Sequence, residues 1–266
     1  MNIHPTAIVD PAAELDSTVT VGPYVIIEQG VRIGRDTVIK PHSVLTGPTS
    51  IGVGNVIGPF ATVGAPPQDL KYQGEDTELI IGDHNHIREY VSIHRGTVTG
   101  HGITTVGSNN LFMGYVHIAH DCIVGNSAIL ANGATLAGHV LIEDYAILGG
   151  LVAVLQFTRI GAYSYIGGLS GISKDVPPFV IVSGTRKNMR VSGINKIGLR
   201  RRGFSSDVLK KLDWAYKLIF MNHDLLLKDA LDRVAVEAGD CEPVNQMIDF
   251  FRASKQGVIR TTDSAA

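Results

Sequence analysis

The chain has 266 residues, is 44% hydrophobic but only 6% aromatic, and carries 30 glycines with a formal charge of −2. That length supports one large domain, or one domain with a smaller appendage, and the charge excludes a globally basic nucleic-acid binder. Few aromatics and many glycines favour short β segments joined by tight turns over a helical bundle.

The opening "MNIHPTAIVDPAAELD" has neither the basic nor the apolar region of a signal peptide, and no run of about 18 apolar residues occurs. The expectation is a soluble cytoplasmic protein, not an integral membrane one. Stepping by six from Ile3 meets Val9, Leu15, Val21, Ile27, Ile33, Ile39, Leu45, Ile51, Ile57 and Val63, eleven aliphatic residues in succession. No amphipathic helix has that period. The stretch "APPQDLKYQGEDTEL" interrupts it, and the pattern resumes at Ile81, Ile87 and Ile93. A second break, "VTGHGITT", shifts the phase by one residue, after which the repeat runs from Val106 to Ile172, for 26 hexads in all. Inserted loops are therefore expected near 64–80 and 97–105.

Four positions after each anchor the residue is usually small or β-branched, as at Ala13, Val31, Thr37, Ala61, Ala128, Ala134, Ala146 and Thr158. The physical reading is a parallel β-helix in which each hexad supplies a short strand and a turn, with the anchor pointing into the core. Three hexads make one triangular coil. At a strand spacing of ~4.8 Å, nearly nine coils give a prism roughly 40 Å long. Cys122 falls on a small interior position and reads as a core thiol, while Cys241 lies in a different kind of segment, so no disulfide is expected. Gly22, Gly34, Gly52, Gly107, Gly125 and Gly161 follow anchors and read as turn formers.

The solenoid is expected to span 1–185 and a helical domain 186–266. Ser205 or Ser206 can cap a helix through Met221, with Leu209, Leu212, Ala215, Tyr216, Ile219 and Phe220 on one face. Helical segments around 224–238 and 243–255 follow, and "RTTDSAA" reads as a frayed end. Arg186, Lys187, Arg190, Lys196, Arg200, Arg201 and Arg202 form an acid-free basic run at the joint. A solvated face or a site for phosphates or an acidic partner would each account for it.

The coil length converts sequence distance into proximity. In "HIAHDC", His120 is the third residue of its hexad, so Gly138 and Gln156, one and two coils on, should stack beside it. His117 and His139 fall near the same edge. A neutral imidazole can take a proton from a hydroxyl, Asp121 can position it, and the Gly138 N–H can approach a developing oxyanion. These are parts for acyl transfer without a covalent intermediate. A zinc site is the rival, and a scaffold without catalysis would explain the repeat but not the histidine edge.

At these residues the chain resembles the UDP-N-acetylglucosamine 3-O-acyltransferase family of lipid A biosynthesis. "QDLKY" (68–72), "IHRGTV" (93–98), "HIAHDC" (117–122), "ATLAGHV" (134–140), "DVPP" (175–178) and "RRGF" (201–204) occur in the family's order. The resemblance implies left-handed coiling and transfer of an R-3-hydroxyacyl chain from the phosphopantetheine of acyl carrier protein to UDP-N-acetylglucosamine. It implies no bound cofactor or metal, and a homotrimer with active sites between subunits. It makes His120 the general base, Asp121 its carboxylate and Gly138 the oxyanion donor. His94, His117, His139 and Gln156 become pocket residues, and Gln68, Asp69 and Lys71 lie on a loop that in the family reaches a neighbouring subunit. Asn195, Arg201 and Arg202 match positions near the nucleotide, and Gly168 the acyl-length ruler, with room for about fourteen carbons. Two positions depart from better-known relatives: "AVLQF" has Leu155 where they carry histidine, and "NKIGL" has Ile197 where they carry glutamate. Both lie on the sugar-nucleotide side, so N-acylation of a 3-amino analogue stays open. Carbonic-anhydrase-like hexapeptide enzymes carry His-x4-His, and this chain has His-x2-His.

Overall fold

Nearly every period-six aliphatic residue closes a strand of two to four residues whose side chain is sealed inside the protein, as at Ile39, Leu45, Ile57, Leu130, Leu148 and Ile166. The computed structural model describes residues 2–185, 188–222 and 224–262. Up to the last coil each strand pairs in parallel with the third strand after it, and Tyr165–Ile166 pairs with Val180–Ser183, so that among the described residues three sheets of eleven, nine and eight strands form. Register follows the 18-residue coil, with Ile118 beside Leu136 and Leu136 beside Val154. The first coil has a neighbour on one side only, and its anchor Ile3 stays 39% exposed.

Non-glycine residues turn the corners in the left-handed region, among them Asp121 (φ 58°), His139 (φ 61°) and Phe157 (φ 64°). Stacking supports them: Tyr24, His42, Phe60, Tyr90 and Tyr115 form a continuous column of rings. The glycines after the anchors have a different reason from the one expected. Gly34 and Gly107 are not in the left-handed region. A Cβ on either would lie 2.8 Å or less from the backbone of the next coil, so close stacking, not turn geometry, selects glycine there.

The two breaks lengthen their coils to 30 and 25 residues. A buried amide ladder bridges both. Asn85 donates to Asn55 Oδ1, Asn110 N–H donates to Asn85 Oδ1, and Ala128 N–H donates to Asn110 Oδ1. Asparagine thus takes the small interior position where chain is inserted, and fully paired polar groups hold the long coils in register.

Leaving the last hexad, the chain forms an antiparallel pair, Val180–Ser183 with Arg190–Ile194, at the end of the eleven-stranded sheet. Arg186 and Lys187 lie outside the described residues. Among the described residues four α-helices follow: α1 (Lys196–Arg201), α2 (Ser206–Tyr216), α3 (Leu227–Ala238) and α4 (Glu242–Ala253). Ser205 caps α2, which runs on as a π-helical turn over Lys217–Met221. Tyr216, Phe220 and Phe251 pack together in this module. The module is tied to the solenoid by Tyr216 Oη donating to the Val191 carbonyl, Ser254 Oγ donating to Asp175, and Arg159 over the Phe250 ring. The expected frayed end is pinned as far as Thr262. Val191 N–H donates to the Thr261 carbonyl, Ile259 is buried, and Arg260 donates to the Ile219 carbonyl. Both cysteines are buried free thiols, and burial pushes Cys122 up to about 12, so it is inert as a nucleophile.

Candidate active site

The corner that follows the nine-stranded sheet carries a cluster of histidines around a buried aspartate. One column holds His120, Gly138 and Gln156, and the column beside it holds Asp121, His139 and Phe157. His139 N–H donates to the His120 carbonyl and Phe157 N–H to the Gly138 carbonyl, which sets both columns. His120 Nδ1 lies 2.8 Å from Asp121 Oδ2. An ionised carboxylate only accepts, so Nδ1 carries a proton, and in the neutral ring Nε2 is the nitrogen that keeps a lone pair. A Cβ built on Gly138 would lie 2.6 Å from His120 Cε1 and 2.8 Å from Nε2, so the missing side chain makes room for the imidazole itself. Among the described residues the Gly138 N–H has no acceptor.

Asp121 is fully buried at its side chain. Burial would raise its pKa, but the Thr97 hydroxyl, His120, and the amides of Thr97 and His101 together hold it below the usual carboxylate range. His139 stacks on Phe157 at 4.5 Å, and its Nε2 is 3.9 Å from Asp121 Oδ2. Desolvation keeps His139 neutral against the pull of Asp121. A cleft of about 480 Å³ opens beside it, lined in part by Thr99, Gly100, His101, Phe157 and Arg159.

His117 and His94 stand side by side on adjacent strands of the nine-stranded sheet, edge to face at 5.1 Å. Ser92 Oγ lies 2.7 Å from His117 Nδ1, and burial together with His120 lowers the His117 pKa. His94 is buried, its Nδ1 has no partner among the described residues, and desolvation reinforced by His117 and His120 lowers its pKa to about 4. The sign of the linkage is fixed by that depression. Between about pH 6.5 and 4 the unfolded chain binds a proton at this position that the native chain does not, so stability falls as pH falls through that window. At pH 5 this costs about 2 kcal/mol. His94→Gln is expected to lose correspondingly less melting temperature than the parent between pH 7 and pH 5, measured by calorimetry. Equal losses would remove His94 as the source.

The first inserted loop carries Gln68, Asp69 and Lys71 near the surface, with Lys71 N–H donating to Asp69 Oδ1. Asp69 is close enough to His139 for its charge to act there. Buried Arg95, beside His94, anchors this loop by donating to Tyr72 Oη and to the Gly47 carbonyl.

Other expected site residues lie at other corners. Gly168 follows the eleven-stranded sheet and is exposed, with Gly150 stacked beneath it. Asn195 caps α1 and donates to the Tyr163 carbonyl, so both ends of its amide are engaged within the fold. Arg202 lies over the Tyr145 ring at the corner that follows the eight-stranded sheet. Of the basic run, Lys196 pairs with Asp213, while Arg200 and Arg201 are exposed without a carboxylate partner among the described residues. One chain therefore gathers His94, His117, His120, Asp121, Gly138 and His139, with Gln156 just along the column. It does not gather Gly168, Asn195, Arg201 and Arg202 around them.

His101, Asp121 and His139 could offer ligand atoms within 4.8 Å of one another to a metal ion. A cation there would compete for Asp121 oxygens that already accept from Thr97, His101 and His120. The chemistry this donor set fits is retention of an imidazole tautomer, with metal binding in opposition to it. Thr97, His101 and Thr104 escaped the sequence reading because they sit in the second break, where the 18-residue coil no longer maps position to space.

A stack of hexapeptide coils with a carboxylate-held histidine on one edge defines the class of hexapeptide-repeat transferases. Residues 12–47 and 103–138 match the bacterial transferase hexapeptide model, and 175–259 match the second domain of UDP-N-acetylglucosamine O-acyltransferase. Acyl-[acyl-carrier-protein]–UDP-N-acetylglucosamine O-acyltransferases from Paraburkholderia phymatum and Thermodesulfovibrio yellowstonii are each 52% identical, with alignments covering 97% of this chain and 99% of theirs. The crystal structure of UDP-N-acetylglucosamine O-acyltransferase from Moraxella catarrhalis superposes with a TM-score of 0.92 at 46% identity, covering 98% of this chain and all of that one. The acyltransferase from Bacteroides fragilis gives 0.94 at 42%, covering 97% of this chain and all of that one. The chain belongs to the UDP-N-acetylglucosamine O-acyltransferase family, and its solenoid is the left-handed parallel β-helix of that family. It is an acyltransferase. Among the described residues no helix is long and apolar enough to cross a membrane.

Proposed function

We propose that the chain moves an R-3-hydroxyacyl group, 3-hydroxymyristoyl by preference, from the phosphopantetheine thiol of acyl carrier protein to the 3-hydroxyl of UDP-N-acetylglucosamine, in lipid A biosynthesis. The observation that carries this reading is the placement of His120, with Nδ1 2.8 Å from buried Asp121 Oδ2 and Nε2 beside Gly138, which in the neutral ring leaves the Nε2 lone pair facing out. Nε2 takes the 3-hydroxyl proton as that oxygen bonds to the thioester carbonyl carbon. The carbonyl oxygen becomes an oxyanion that the Gly138 N–H stabilises, and the C–S bond then breaks. The departing thiolate takes the proton back from Nε2, so no cofactor is required. Neutral His94, His117 and His139 hydrogen-bond the sugar nucleotide without charge repulsion toward the protonated base, and the unpartnered Nδ1 of His94 supports that role.

A competition assay tests the reaction: equal UDP-N-acetylglucosamine and its 3-amino analogue, with ten-, twelve- and fourteen-carbon 3-hydroxyacyl carrier proteins, products read by mass. Ester with the fourteen-carbon chain is expected. Amide alone would assign the chain to the 3-amino reaction, for which Leu155, 55% exposed next to Gln156, leaves the pocket wall apolar. No acyl product would overturn both readings.

The separation of Gly168, Arg201 and Arg202 from the His120 corner supports a homotrimer whose sites are completed between chains, with the basic face meeting the acidic carrier protein or the pyrophosphate. Co-refolded His120→Ala and Arg201→Glu/Arg202→Glu chains should then recover activity that neither has alone. Recovery absent from mixtures shown by native mass spectrometry to contain both chains would refute sites shared between subunits.

A further inference from the structure

We propose that Thr97, on the second inserted loop, is a positioning residue: its hydroxyl clamps the Asp121 carboxylate at the angle that keeps His120 in its working tautomer and orientation. The proposal rests on the reading of His120 as base and assigns a purpose to the second interruption of the repeat.

Four of the groups that hold Asp121 come from three residues of the stretch 97–104. Thr97 Oγ1 donates at 2.7 Å and its N–H at 3.1 Å to both carboxylate oxygens. His101 N–H donates at 2.8 Å to Oδ1, and Thr104 Oγ1 accepts from the Asp121 N–H at 2.8 Å. Thr97 and Thr104 are themselves buried. A buried carboxylate bonded only to His120 would be both costly and free to rotate about its own side-chain bonds. The loop supplies the remaining donors and fixes both oxygens. Because Thr97 Oγ1 gives its proton to Asp121, the contact of 3.2 Å to Thr99 Oγ1 is one in which Thr99 donates, completing a directed chain from Thr99 through Thr97 and Asp121. Gly100 closes the wrap: a Cβ there would lie 2.4 Å from Asp121 Cγ and Oδ1. The other titratable groups facing the carboxylate are His120, His139 and, across the cleft, His101.

The test compares Thr97→Val, Thr97→Ser and Gly100→Ala in the full chain, with His120→Ala alongside. Valine keeps the volume and the amide donor and removes only the hydroxyl. Its kcat should fall about 10-fold or more, with KM for UDP-N-acetylglucosamine within about twofold of the parent and melting largely retained. Serine should restore most of the loss. The Asp121 carboxyl, followed by carbon-13 NMR with Asp121→Asn for assignment, should titrate at higher pH in Thr97→Val than in the parent, because the hydroxyl is the strongest group lowering it. Gly100→Ala should lower kcat by pushing the carboxylate aside while Thr97 remains. If His120→Ala is impaired while Thr97→Val or Gly100→Ala folds and turns over like the parent, or if the Asp121 titration is unchanged in Thr97→Val, the clamp is overturned. A moved Asp121 titration with parental turnover in both Thr97→Val and His120→Ala would uphold the clamp and overturn instead the reading of His120 as base.

Discussion

His120→Ala is expected to lower kcat/KM by about 10²–10⁴-fold, the usual cost of removing a general base, while leaving the fold intact. The ring is only partly buried, at a corner of the solenoid and outside its aliphatic core, so its loss opens no large internal cavity. What it removes is, among the described residues, the one imidazole whose Nδ1–H is committed to a buried carboxylate. His139 stands nearby, but its ring is stacked on Phe157 and its Nε2 is 3.9 Å from Asp121, beyond a hydrogen bond, so it cannot take over the role without turning. Single-turnover measurements with saturating acyl carrier protein isolate the chemical step from donor binding. Added imidazole should restore part of the lost rate by entering the vacated space. Turnover within about threefold of the parent would remove His120 from the chemistry and direct attention to His139 or His117.

Much of this site could be read before any coordinates, because the fold is periodic. Once the 18-residue coil is recognised, the neighbours of His120 at Gly138 and Gln156 follow by addition, and the register of Ile118 with Leu136 and Val154 bears that out. The same logic fails wherever the period fails. Thr97 and His101 lie in the second break, so no step of 18 leads from them to Asp121, although they supply most of its hydrogen bonds. Arg95 was likewise invisible: it follows an anchor strand like many exposed residues, and only the first inserted loop, folded over it, explains why a guanidinium is buried there. The glycines show the limit of a turn-based reading. A strongly stacked solenoid demands glycine for the approach of one coil to the next, as at Gly34, and lets Asp121 or His139 take the left-handed corner. At the far end, composition marked the "RTTDSAA" segment as frayed, but pairing of Val191 with the Thr261 carbonyl depends on a strand over 180 residues into the chain that no local pattern connects to it.

Gly138→Ala is expected to come close to His120→Ala in effect, for a reason that separates room from charge. Gly138 is not in the left-handed region, so alanine can adopt its backbone, and its N–H survives the substitution. The oxyanion donor is therefore retained, and the new methyl instead occupies a point 2.8 Å from His120 Nε2 and 2.6 Å from Cε1. An imidazole free to swing would yield cheaply. This one is bonded through Nδ1 to an Asp121 that is itself held by Thr97 and His101, so it can yield only by breaking that bond or by shielding Nε2 from the acceptor hydroxyl. A fall in kcat of about 10²-fold follows if the proton is to be taken at Nε2 in line with the attacking oxygen. Because the loss acts through His120, the double variant His120→Ala/Gly138→Ala should be no slower than His120→Ala alone. An independent further loss in the double variant would show that the methyl obstructs the substrate rather than the base. Near-parental turnover of Gly138→Ala would mean that Nε2 does not face the acceptor across this gap, and that the proton leaves by another route.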